Sequence, residues 1–199
     1  KKKKKIEEAD KIYYLTDLKD LIRLFVEKKK TFFFLTNHHE IIGMVSIIHL
    51  TSKPVYPYFF SIISEIEIEL AELLSKRVSE KDILSWLKRK GKENKLNAID
   101  VLNRYDQDLK KQKENRLVEY LYLRHIVAIL GKFELFTLLR FSKKETLLDQ
   151  TKAIVDLRNW IAHPVNSPEE NLPIDLLAFI NQAEQLKSKL PHPDEVSLY

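Results

Sequence analysis

Asp156-Leu157-Arg158-Asn159-Trp160-Ile161-Ala162-His163-Pro164 closes a long helical run, and its reading decides the fold. The run is expected to begin near residue 143. Ile154, Leu157 and Ile161 recur at three- and four-residue steps, which turns an apolar stripe towards a core. Asn159 and His163 are four apart and share another face, with Arg158 offset from Asn159 by about 100° around the axis. Pro164 disfavours helical backbone at His163, so this polar trio belongs to the last turn. Unsatisfied carbonyls and the negative end of the helix dipole favour a proton on an imidazole there. Two readings fit these residues: a helix C-cap with a surface arginine, or an acid–base site.

Arg158-Asn159-Trp160-Ile161-Ala162-His163 resembles the arginine, polar residue, three more, histidine motif of the HEPN superfamily, with Pro164 as the proline common after it. HEPN domains are small helical bundles; many are metal-independent ribonucleases that work as dimers, and binding-only members share the fold. The motif lies at the end of the penultimate long helix, where the family carries it. The resemblance implies a helical bundle over residues 58–190, with Arg158, Asn159 and His163 as the catalytic group.

A chain of 199 residues suffices for one core or two small ones. An apolar share of 44%, with ten Phe and eight Tyr, marks a globular protein. The lack of Cys excludes a disulfide scaffold and a thiolate metal site, and fits a reducing compartment. No apolar run reaches about 18 residues, and the leading lysines precede a mixed charged segment, so a cytoplasmic protein without a membrane partner is expected. The net charge of +5 is matched by the five lysines at residues 1–5, and it permits an anionic partner without requiring one.

Residues 6–50 read as a separate α/β unit. A short strand at 12–15 precedes a helix to residue 28, capped by Thr16 or Asp17, with Leu18, Leu21, Ile22 and Phe25 on its apolar face. Strands at 31–35 and 41–47 flank the polar turn Asn37-His38-His39-Glu40, and a helix is expected from about residue 49. Such a small sheet needs a cover on its second face. Glu40-Ile41-Ile42-Gly43-Met44-Val45-Ser46-Ile47-Ile48-His49-Leu50 is similar to a single CBS motif. That family pairs its motifs and often binds an adenine nucleotide between them. Ser46 matches the family's ribose-contacting hydroxyl, whereas His49 stands where the family carries an aspartate. The resemblance implies CBS–CBS pairing and a nucleotide contact at Ser46 and His49; a structural role for both is the alternative. His38 and His39 would point to opposite faces of an extended chain, without the three or four ligands a metal needs, so a solvated turn is expected.

Two prolines make residues 51–57 a linker. Over 58–76, Phe59, Ile62, Ile63, Ile66, Leu70, Leu73 and Leu74 form a buried helical stripe. Glu65, Glu69 and Glu72 share another face; Glu65 and Glu69 are candidates to orient Arg158, with ordinary surface charge as the alternative. Ser79 and Asp82 start a short helix to residue 89, Gly91 breaks the pattern, and a second helix spans 96–113. Lys88, Arg89, Lys90 and Arg104 are candidate RNA contacts here, and Tyr105 is a candidate to stack on a base; a soluble insertion is the alternative. Residues 117–130 are expected as the central helix, in which His125 reads as a packing histidine. A closing helix at 174–190 and a tail at 191–199 complete the chain.

The fold class is therefore α+β: a small CBS-like α/β unit, then an all-α HEPN-like bundle. The chain has no H-E-x-x-H, Walker or G-x-G-x-x-G motif and no closely paired carboxylates of a metal nuclease. RNA brings its own nucleophile in the 2′-hydroxyl. On that chemistry His163 transfers the proton, Arg158 holds the non-bridging oxygens, and Asn159 orients the phosphate or His163. One histidine cannot act as base and acid at once, and a two-fold homodimer would supply two. The expectation is a metal-independent endoribonuclease with no required cofactor, regulated through the CBS-like part. The alternatives are a non-catalytic RNA- or protein-binding HEPN module and a nucleotide-sensing dimerisation protein.

Overall fold

A computed structural model describes residues 6–162 and 175–190, and over these the fold is α+β and mostly helical. His163 and the tail at 191–199 lie outside the described residues. The first unit runs β1 (Lys11–Tyr13), α1 (Leu18–Lys28), β2 (Phe32–Asn37) and β3 (Glu40–Ser46). β2 lies in the middle of the sheet, parallel to β1 and antiparallel to β3. Asp17 caps α1, its Oδ1 accepting from the Lys19 N–H at 2.8 Å.

Strand alternation sends Ile12 and Phe33 to the inner face, where Phe25 of α1 meets Phe33 at 5.0 Å between ring centroids. Gly43 lies opposite Leu35 on that side. The other face keeps Tyr13, Phe32 and Met44 exposed, and Ile42 is exposed beside the irregularity that follows Leu35.

The helix expected from residue 49 does not form. Two 3-10 turns, Ile47–Thr51 and Lys53–Val55, carry the chain around a corner that buries Leu50 and Thr51. α2 (Tyr56–Arg77) starts directly afterwards, and Pro57 fits its first turn because an N–H there has no helical partner to lose. Within the stretch expected as a linker Thr51 is buried, and the buried side chains of the α/β unit and the bundle form one continuous core.

The bundle continues as α3 (Glu80–Lys92), α4 (Ala98–Lys110), α5 (Leu123–Lys132), α6 (Lys144–Ala162) and α7 (Leu176–Lys187). Its centre is α2, which packs on α5, α6 and α7 and buries Phe59, Ile63, Ile66, Leu70, Leu73 and Leu74. Gly91 does not break α3. It is buried within it, and a Cβ there would come 3.3 Å from Ile99, so its smallness serves the approach of α4. Residues 117–130 are not one helix either. A 3-10 turn at Leu117–Tyr120 leads into extended backbone at Leu121 and Tyr122, and α5 begins anew at Leu123. The new start is fixed by His125, whose Nδ1 accepts the Tyr122 N–H at 3.0 Å as a third-position side chain reaching back to the N-cap.

Glu184 of α7 ties the first unit to the bundle, meeting Lys19 at 2.9 Å and Arg23 at 2.6 Å. No helix among the described residues is long and apolar enough to cross a membrane. The α6–α7 register is set by Gln182, whose Nε2 donates to the Asp149 carbonyl at 3.1 Å while its Oε1 accepts from the Ala153 N–H at 2.9 Å. Gln182→Leu keeps the side-chain bulk and loses both bonds, so urea denaturation should show a loss of about 1–3 kcal/mol. An unchanged midpoint would mean that the amide does not fix the pair.

Candidate active site

The rotation of α6 is set by Ile154 and Leu157, both fully buried, with Ile161 half-buried behind them. Arg158 and Asn159 follow Leu157 around the helix and reach the edge of that stripe. Arg158 is half-buried, and its Nε donates to Glu67 Oε1 at 3.3 Å. The same Glu67 oxygen accepts the Leu123 N–H, the first of α5, at 3.1 Å. Its guanidinium carbon lies 4.9 Å from the centroid of the Tyr122 ring.

Tyr122 gathers two more arginines, Arg104 at 4.8 Å and Arg124 at 5.6 Å from the same centroid. Its hydroxyl donates to Asp100 Oδ2 at 3.1 Å. Asp100 also meets Arg104 Nε at 3.2 Å as an ion pair rather than an aligned hydrogen bond, and Arg104 Nη2 donates to the Tyr120 carbonyl. Of these groups, Asp100, Tyr122, Arg124 and Arg158 face a cleft of about 610 Å³ between the starts of α4 and α5 and the end of α6. Asn97, Asp100 and Tyr122 form one side; Arg124, Arg158, Asn159 and Ala162 complete the lining.

Beneath the cleft, His125 has no exposed surface and stacks on Tyr122 at 5.4 Å. Because Nδ1 accepts the Tyr122 N–H, the ring proton sits on Nε2 and is donated to the Leu96 carbonyl at 2.6 Å. Burial pushes its pKa down to about 4, so the ring is neutral and committed to holding α5 against the loop before α4.

The chain matches no protein-family model, no curated protein and no solved structure.

Of the residues expected at the site, Arg158 and Asn159 line the cleft; His163 lies outside the described residues. Glu65 instead pairs with Lys187 at 2.7 Å, and Glu69 is exposed. Glu67 takes the place proposed for them, because it flanks the buried positions Ile63, Ile66, Leu70 and Leu74 of α2 on the side of α5. Lys88 and Arg89 are exposed on α3, and Arg89 and Lys90 both approach Glu93, at 4.0 and 2.7 Å. None of the three lines the cleft.

Arg104 is brought to Tyr122, but Tyr105 is not available to stack on a base. It is buried edge-on to Tyr120, and its hydroxyl donates to Glu80, which together with burial pushes its pKa up to about 12. Ser46 and His49 engage each other: the Ser46 N–H donates to His49 Nδ1 at 3.1 Å and closes the 3-10 turn that follows β3. Glu67, Asn97, Asp100, Tyr122 and Arg124 are the site residues that sequence reasoning missed. The available signal was His125 three residues after Tyr122, a capping spacing hidden inside an apolar run.

His125 makes the fold sensitive to acid. Its ordinary pKa of 6.5 falls to about 4 on folding, so between these values the unfolded chain binds more protons. The stability it contributes is complete above the ordinary value and is lost as pH falls towards the lower one, about 3 kcal/mol in all. Urea denaturation across that window should show the slope in the parent chain, and His125→Gln should flatten it while lowering stability at neutral pH. An identical slope in both chains would contradict the assignment.

Proposed function

We propose that the chain is an endoribonuclease of the HEPN kind, cutting RNA at the Arg158 cleft by attack of the 2′-hydroxyl on the adjacent phosphorus. The observation that supports this most is the seating of Arg158: Glu67 on one side and the Tyr122 ring on the other hold a guanidinium at an open cleft wall beside Asn159. A planar donor fixed in this way is suited to the non-bridging oxygens of a phosphodiester. His163 follows Ala162, itself a lining residue, in the chain.

In the proposed reaction the 2′-oxygen bonds to phosphorus as the bond from phosphorus to the 5′-oxygen breaks. One His163 takes the hydroxyl proton, and the His163 of a second subunit gives a proton to the leaving oxygen. Arg158 offsets the charge that develops on the non-bridging oxygens, and Asn159 orients the phosphate. No cofactor is required in this scheme, and the two subunits share one groove.

In EDTA, His163→Ala should abolish turnover with little loss of RNA affinity. Arg158→Lys should damage both, because lysine lacks the planar fork. RNA carrying a 2′-methoxy group at the cut site should resist. Cleavage of that RNA at the parent rate, or turnover surviving loss of His163, would sink the mechanism.

The α/β unit is proposed to pair with another of its kind, as its CBS-like sequence implies. The exposed Tyr13, Phe32 and Met44 on the outer face of the sheet favour this reading, since exposed apolar surface of this type marks interaction sites. Met44→Asp should shift the chain to a smaller species in light scattering if that face pairs two copies. A mass that is unchanged by the substitution would remove self-pairing through the sheet.

A further inference from the structure

Arg124 is the cleft arginine that the proposed reaction leaves unused. It stands in the first turn of α5, which carries no acidic residue of its own, and the Glu67 carboxylate at that helix start is engaged by the Leu123 N–H and by Arg158. Its side chain is half-buried and faces the cleft beside Tyr122. Glu67 engages Arg158 and Asp100 engages Arg104, but among the described residues no carboxylate pairs with Arg124. Its donors are open to the cleft, where an anionic ligand would engage them.

The spacing of the arginines limits what that ligand is. The guanidinium carbons of Arg124 and Arg158 lie 5.6 and 4.9 Å from one ring centroid, so they cannot be farther apart than those two distances combined. Successive phosphates of a flexible strand fit within that reach. Both groups lie against the Tyr122 ring, whose hydroxyl is committed to Asp100. A cleft of about 610 Å³ has room for a short stretch of single strand.

We infer that Arg124 grips the phosphodiester next to the one held by Arg158, so that the cleft takes a single-stranded oligoribonucleotide with at least two consecutive phosphates. This rests on reading the cleft as an RNA site, and it adds a binding residue outside the catalytic group.

The test uses the full chain and fully 2′-methoxy oligoribonucleotides, which bind without being cut. Fluorescence anisotropy across a salt series compares a dinucleotide, which has one phosphate, with a tetranucleotide. Arg124→Gln should weaken the tetranucleotide about tenfold, as expected for the loss of one charge-assisted contact. It should also reduce the slope of log affinity against log salt by about 0.7 while leaving the dinucleotide within about twofold. Arg124→Lys, which keeps the charge, should restore the slope. Equal weakening of both ligands, an unchanged tetranucleotide slope, or no tetranucleotide binding by the parent chain would overturn the inference. Cleavage of unmodified RNA is read separately. A parent chain that shows the Arg124-dependent slope but never cuts supports the subsite and removes the ribonuclease reading, whereas normal cutting with no Arg124 effect does the reverse.

Discussion

A single carboxylate oxygen, Oε1 of Glu67, joins three helices behind Arg158. It accepts the first N–H of α5 at 3.1 Å and the Nε of Arg158 at 3.3 Å, and it is carried by the central helix α2. The first of these bonds satisfies one of the donors that a helix start leaves open, and the second sets the direction of a guanidinium. Both depend on α2 being buried by its apolar stripe, since only that packing fixes the rotation that aims Glu67 at α5. The cleft is in this sense a consequence of core packing.

Tyr122 and His125 supply the second half of the same construction. His125 is held neutral by burial, with one ring nitrogen capping α5 and the other bound to the Leu96 carbonyl. Tyr122 therefore stands at the N-cap with its ring between charged neighbours, and its hydroxyl is tied to Asp100. Charge near the ring is only partly compensated: two arginines have carboxylate partners, while Arg124 meets none among the described residues. An anion is the complement that such an arrangement lacks.

The α6 stripe, the Ser79 cap, an α1 cap at Thr16 or Asp17 and the order of strands and helix over residues 11–46 were all legible in the sequence, because each depends on local periodicity or on a side chain bonding its own helix. The break at Leu121 and Tyr122 was not. A continuous apolar run carries no periodic signal to separate one long helix from a turn followed by a shorter one, and the His125 cap depends on a spacing that also occurs inside helices. Glu67 was passed over for Glu65 and Glu69 because the face of α2 that meets α6 is a tertiary choice. Tyr105 likewise reads as exposed among lysines, yet its position next to α3 and Tyr120 buries it. Arg158 and Asn159 were legible from the motif, but the arginines that surround Tyr122 come from three different helices and meet only in the fold.

In the proposed mechanism this cleft uses the 2′-hydroxyl of RNA as its nucleophile. Phosphorus NMR of the products formed from a defined single-stranded RNA in EDTA tests it most directly. The account predicts a 2′,3′-cyclic phosphate on one fragment and a free 5′-hydroxyl on the other. Fragments bearing a 5′-phosphate, or RNA left intact, would contradict it.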